Sequence, residues 1–186
     1  MTISLRNVAL SLSLGVSLAG CGQSMSPVNS SEGGSVNMQA AADRADDILD
    51  EVLSAISPAV EWAHATTTAG SCDVSRRRTV MTIISSERRG SFLGVVERFW
   101  RKSDFRIRAV NRDDDFPAVY ARTPDGFGVS LSFGGGGQAF FEADSPCVDK
   151  SDVAESTTPP NGPAYEGVYP LPRPNVRSPF WSAGAP

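Results

Sequence analysis

Between Met38 and Ile56, apolar residues recur at three- and four-residue steps. Ala41, Ala45, Ile48, Leu49, Val52 and Ile56 form one stripe, with Asp43, Asp46, Asp47, Asp50 and Glu51 among the polar positions. That period predicts an amphipathic helix, and Pro58 follows soon after its end. A stretch holding Trp62 and His64 leads through "TTTAGSC" to a strand at about 77–85. Ser91–Lys102 repeats the helical period with Phe92, Val95, Val96, Phe99 and Trp100 on its buried side. The period then drops to two, as in half-buried strands. Phe105, Ile107 and Ala109 alternate with Arg106 and Arg108, and 117–122 is a further strand. Phe127, Val129, Leu131 and Phe133 alternate with Gly128, Ser130 and Ser132, and Gln138–Ala143 is the last strand. "TPDG" and "GGGG" are the turns on either side of the 127–133 strand, since Pro presets φ and Gly accepts φ > 0.

The predicted order is α-β-α-β-β-β-β. Short hairpins make neighbouring strands antiparallel, and a helical crossover makes the first two strands run the same way. The last strand then runs opposite to the first. If the two pair, the end of one, near Cys147, lies beside the start of the other, near Cys72. With helices on one face of a mostly antiparallel sheet, the expected fold is α+β, a two-layer sandwich.

The termini follow different patterns. Val8–Leu18 is apolar and serine-rich, preceded by a single charge, Arg6. It is too short to span the roughly 30 Å hydrocarbon core of a bilayer as a helix. It ends in Leu18-Ala19-Gly20-Cys21, which resembles the lipobox of bacterial lipoprotein precursors. The resemblance implies a signal peptide at 1–20, lipidation of the Cys21 thiol with acyl chains such as palmitate, and a membrane anchor. Residues 21–37, rich in Ser, Gly and Asn, are expected to be a flexible linker. The globular domain is placed at 38–149. From 150 to 186 proline recurs and periodicity is lost, so this stretch is expected to be a disordered Pro-rich tail, with Tyr165, Tyr169, Phe180 and Trp181 free to dock on the domain or a partner or to stay exposed.

An exported address changes the reading of the cysteines. With Cys21 assigned to lipid, Cys72 and Cys147 remain as a pair, and outside the cytoplasm the simplest reading is a disulfide. Two separate buried thiols are the rival reading. A zinc site is not supported, because two Cys and the single His64 have no close ligand spacing.

Charge is uneven. The whole chain carries −4, yet between Arg76 and Arg112 eleven Arg and Lys face only Glu87, Glu97 and Asp104, a local charge of about +8. Arg76, Arg78, Arg88, Arg106 and Arg108 are therefore expected to form a solvent-facing, anion-contacting surface, with Phe105, Ile107, Val129 and Leu131 buried behind it. The competing reading is that the acidic first helix packs alongside and neutralises these cations. Nucleic acid is not an expected partner: the protein as a whole is acidic and no base-stacking motif accompanies the arginines.

Catalytic signals are weak. "FGGGG" has the composition of a phosphate cradle, but it joins two strands and no helix follows it. Asp113, Asp114 and Asp115 lack the alternating ligand spacing of a calcium loop and read as a turn. No Gly-x-Ser-x-Gly elbow is present, and no cofactor motif. Arg outnumbers Lys fifteen to two. With the lipobox and "TPDGFGVSLSFGGGGQAFFEADSPCV", this makes the chain similar to small actinobacterial lipoproteins; phages of such hosts encode lipoproteins too. The resulting expectation is a lipid-anchored, extracytoplasmic, non-catalytic protein that binds an anionic envelope polymer or a protein partner. The alternative is a small envelope hydrolase using His64 with a Ser or Asp, which needs the three groups within hydrogen-bond reach.

Overall fold

Asn37 starts the first helix. Its side-chain oxygen accepts the Ala40 N–H at 2.9 Å, satisfying one of the free amides of the first turn. This is a computed structural model that describes residues 35–135, 137–165 and 172–186. In it α1 spans Met38–Ser54, and its apolar stripe is buried as the spacing predicts, with Ala41, Ala45, Ile48, Leu49 and Val52 in the core. The lipobox, Cys21, the signal peptide and most of the linker lie outside the described residues.

Two short strands that the periodicity did not reveal come next, β1 (Trp62–His64) and β2 (Thr68–Ala69). Strands of two or three residues are too short to display a period of two. β3 spans Val74–Val80, beginning three residues earlier than expected. The apolar residues after it remain extended and buried but leave the main sheet. Ile83 N–H donates to Val176 O at 2.8 Å, so this segment pairs with the C-terminal stretch. α2 spans Ser86–Lys102, one turn longer at its N-terminus than the apolar stripe. The meander follows as β4 (Arg106–Asn111), β5 (Ala118–Arg122), β6 (Gly128–Phe133) and β7 (Ala139–Asp144). Gly126, at φ 95°, closes the β5–β6 turn.

The strands form one open antiparallel sheet in the order β1-β3-β7-β6-β5-β4, with β2 also on β3. The fold is α+β. The first long strand and the last are neighbours, Ser75 opposite Asp144. Three residues beyond that pair on each chain lie Cys72 and Cys147, bonded to each other with Cα atoms 4.8 Å apart. The Val148 N–H donates to Cys72 O at 2.7 Å and continues the ladder past the bridge.

Both helices pack on one face of the sheet, against Val129, Leu131 and Phe133 of β6, Phe141 of β7, and Val119 and Ala121 of β5. Phe92 of α2 sits at the centre, edge-on to Phe133, Phe141 and Trp181. Phe105 stacks on Trp100. Phe105, Val129 and Leu131 are buried as expected, and Ile107, near the sheet edge, is partly buried.

The expected disordered tail is corrected by the structure. Its described residues, 150–165 and 172–186, pack on the domain. The first part runs along α1 and the β1 edge: Ala154 N–H donates to Gln39 Oε1 at 2.7 Å, and Gly162 N–H to Trp62 O at 3.0 Å. A Cβ at Gly162 would lie 2.9 Å from Trp62 N and O, so only glycine fits this approach. The second part inserts Trp181, 1% exposed, between Phe92 and Phe180, with its indole N–H donating to Pro58 O at 2.7 Å. Proline removes backbone donors and periodicity but does not prevent packing. A segment without regular secondary structure can still insert one large aromatic and lend its remaining amides to an edge.

Candidate functional site on the open side of the sheet

Alternation decides which arginines reach solvent. On β3, Val74 and Val80 face the helices, so Arg76 and Arg78, in phase with them, face the helices too. The expectation that these two line the solvent surface is therefore corrected: Arg76 is 2% exposed and Arg78 0%. The two sit beneath α1. Arg76 Nε lies 3.1 Å from Asp46 Oδ2, outside the hydrogen-bonding direction, and Arg78 Nη2 lies 3.3 Å from Asp46 Oδ1. Arg78 also pairs with Asp50, and its guanidinium stacks 4.0 Å over the Trp62 ring. Asp46 and Asp50 are one helical turn apart on the face that meets β3. The neutralising reading of the acidic helix thus holds for these two cations. Buried charges of this kind are tolerated only when paired and hydrogen-bonded.

Arg88 lies on α2, its guanidinium 4.5 Å over the Phe180 ring, away from the β4 arginines. Arg106 and Arg108 are exposed on β4. The structure does not bring the five expected arginines together. It places Arg106 and Arg108 beside Arg122, Tyr120, Glu142 and Asp144, none of which the sequence reading singled out. These four are detectable in principle. Phe127, Val129, Leu131 and Phe133 mark the core phase of β6, and the hairpin register carries the opposite phase across to β5 and β7.

That register gives the open face two parallel rows. One runs Ser75, Asp144, Gly128, Arg122, Arg106, and the next runs Arg77, Glu142, Ser130, Tyr120, Ala109. A register shift between Ile107 and Ala109 places Arg108 at a bulge. Gly128 and Ser130 provide almost no side chain, so a depression of about 470 Å³ forms above β6. Arg108, Tyr120 and Arg122 bound it on one side and Glu142 and Asp144 on the other. Asp144 and Arg122 are two strands apart, about 10 Å at normal strand spacing, and form no ion pair with each other.

The two walls differ in how their charge is held. Glu142 pairs with Arg77, and Asp144 accepts the Ser75 hydroxyl. Partial burial pushes the Glu142 carboxyl above the usual range. The neighbouring Asp144 carboxylate pushes the same way, and Arg77 opposes both without prevailing. On the opposite side, Arg108 and Arg122 of the wall, and Arg106 on β4 next to Arg122, make none of the ion pairs or side-chain hydrogen bonds among the described residues. Three exposed guanidinium groups with unspent donors, beside an aromatic ring and a floor without side chains, can take anionic and hydroxylated ligands.

The other candidates resolve differently. His64 donates from its Nε2–H to Thr158 O at 2.8 Å and lies edge-on to Trp62. Its partner is a backbone carbonyl, not the serine or carboxylate a hydrolase would need. Asp113 Oδ1 accepts the N–H groups of Asp115 and Phe116 at 2.9 and 2.8 Å, the geometry of a side-chain-closed turn. Among the described residues no cluster of three or more His, Cys, Asp or Glu is placed to hold a metal ion, and no described helix is long and apolar enough to cross a membrane.

No protein-family model matches the chain, and no curated protein matches it. Among solved structures, the crystal structure of a DUF4853 family protein from Actinomyces odontolyticus ATCC 17982 is similar, at 14% sequence identity and a TM-score of 0.36, over 68% of this chain and 73% of that one. A likeness of that degree carries no functional assignment.

Proposed function

We propose that this chain is a lipid-anchored, non-catalytic protein of the cell envelope, held to the membrane through Cys21, whose open sheet face binds an anionic envelope polymer through Arg106, Arg108 and Arg122. One observation carries the binding part of this reading: Arg106 and Arg122 are directly opposite each other on adjacent strands, exposed and unpaired. Like charges so placed oppose folding, and a bound anion relieves the repulsion. The lipobox at Leu18–Cys21 supports the anchored part.

Two measurements test the two parts. Mass spectrometry of membrane-extracted protein should find diacylglyceryl-modified Cys21 as the N-terminal residue, and an intact Arg6 or a free Cys21 thiol refutes the anchor. Pull-down on an anionic wall polymer should give binding at low salt that is released near 0.5 M, since exposed contacts are screened over a few ångströms there. Arg106→Glu with Arg122→Glu should abolish retention, whereas Arg98→Glu on α2 should leave it. Retention insensitive to salt and to the double variant overturns the assignment of this face.

A further inference from the structure

The glycine turn that no helix follows in sequence does meet a helix in space. Gly135 and Gly137, in the β6–β7 connection, line a cavity of about 440 Å³ together with Ser85 and Ser86 at the N-terminus of α2 and with Arg89 and Arg173. No Asp or Glu is among its lining residues.

Three features of the α2 terminus remain unused by the fold. Ser85 stands at the N-cap with an extended backbone, φ −62° and ψ 155°, the position where a serine side chain ordinarily accepts a first-turn amide. Here it makes no cap bond. Its hydroxyl is buried without any hydrogen-bond partner, in a residue 3% exposed. A buried polar group left in that state costs roughly 1–3 kcal/mol. The N–H groups of Ser86 and Glu87, on exposed residues, have no acceptor within the protein, whereas those of Arg88 and Arg89 both turn to Ser85 O. Arg89 donates from Nη1 to Asp115 O at 3.1 Å, but its Nε is buried without a partner, and its guanidinium lies over Phe133 beside Gly137.

We propose that this cavity binds a phosphoryl oxyanion, as inorganic phosphate or as a phosphate ester. A helix N-terminus supplies amide donors and a positive field. Ser85 adds an unpartnered hydroxyl, and Arg89, whose Nη1 is held by Asp115 O, adds the charge and the free Nη2 of its guanidinium. The glycines on the far wall leave room for an ester substituent. The Ser85 N–H donates to Trp181 O at 3.0 Å, so docking of the tail holds the N-cap in place. The site lies on α2 and does not include the arginines of the open sheet face.

The test uses the isotope-labelled full chain, titrated with inorganic phosphate and separately with glycerol 3-phosphate, each against chloride at equal ionic strength. Saturable shifts of the Ser86 and Glu87 amides are expected with at least one probe; tighter binding of the ester identifies an esterified ligand, and tighter binding of phosphate a free one. Arg89→Gln and Ser85→Ala should each weaken binding at least fivefold. Arg106→Glu with Arg122→Glu should leave it unchanged, so loss of the sheet-face reading and loss of this one are separable. Circular dichroism confirms that each variant is folded, and Arg89→Gln serves as the second arm where Ser85→Ala is not. Absence of saturable shifts at millimolar phosphate and ester, or equal affinity in a folded Arg89→Gln variant, overturns the proposal.

Discussion

Arg106 and Arg122 oppose each other directly in the β4–β5 ladder, and neither has a carboxylate partner. A directly opposed like-charge pair is destabilising, by about 0.2–1 kcal/mol if it mirrors the gain from an opposite-charge pair. Replacing Arg122 with Thr, a good strand former, should therefore raise the urea midpoint at low salt. The gain should shrink in 0.5 M salt as the repulsion in the parent protein is screened. A variant less stable than the parent at low salt would show that the arginines support the sheet instead of straining it.

Arg78 shows the opposite situation. It is fully buried and holds Asp46 and Asp50 of α1. Arg78→Met would leave the buried Asp46 with Arg76 alone, take the cation from Asp50, and empty a buried site at the α1–β3 contact. The expected loss is about 3–5 kcal/mol in urea unfolding. The same change at exposed Arg106 should stay within about 1 kcal/mol, combining an ordinary surface change with the repulsion relieved. Similar values for the two would mean that the buried cluster does not clamp the helix to the sheet.

Cys72 and Cys147 enclose a sequence separation of 75 residues. Their bond restricts the unfolded chain, and removing it as Cys72→Ser with Cys147→Ser should cost roughly 2–4 kcal/mol. The parent protein under reducing conditions should match the double variant. Equal stability of the oxidised parent and the variant would contradict this.

Trp181 fills the core beside Phe92 and donates to Pro58 O. Trp181→Ala should cost about 3–5 kcal/mol and expose the Ser85–Ser86 end of α2, read as faster amide exchange there. Phe180→Ala, at a more exposed ring, should cost much less. A free tail would make both changes neutral.

Glu142 makes a pH prediction. Its folded carboxyl is raised above the unfolded value, about 4.3 for a free Glu. Between the unfolded and folded values the native state binds more protons, so stability falls as pH rises through that window. The contribution is fully present below the unfolded value and is lost above the folded one. Glu142→Gln removes this dependence, so its stability relative to the parent should improve from pH 4 to pH 7. A relative stability that worsens over that range would mean that Arg77 outweighs burial.

Much of the fold can be read from the order of residues along the chain. The stripe from Ala41 to Val52, the alternation from Phe127 to Phe133, and turn residues such as Gly126 are local patterns. Each records directly which face of its own element avoids water. The pairing of first and last strands follows as well, because hairpins and one crossover leave few topologies. Cys72 and Cys147 mark the place where the two strands meet.

Spatial partnership resisted that kind of reading. Arg76 and Arg78 look like surface cations because arginine is usually exposed. Their burial depends on the phase of β3 and on Asp46 and Asp50 arriving from a helix some thirty residues away. The Pro-rich stretch shows no period, yet Trp181 docks because its ring meets Phe92 edge-on and its indole N–H reaches Pro58 O. The glycine turn at 134–137 is only a turn in sequence; folding sets its Gly135 and Gly137 opposite Ser85 at the start of α2. Local composition reports what each segment prefers in water, but charge pairing, ring docking and grouped donors depend on which distant segment arrives beside it.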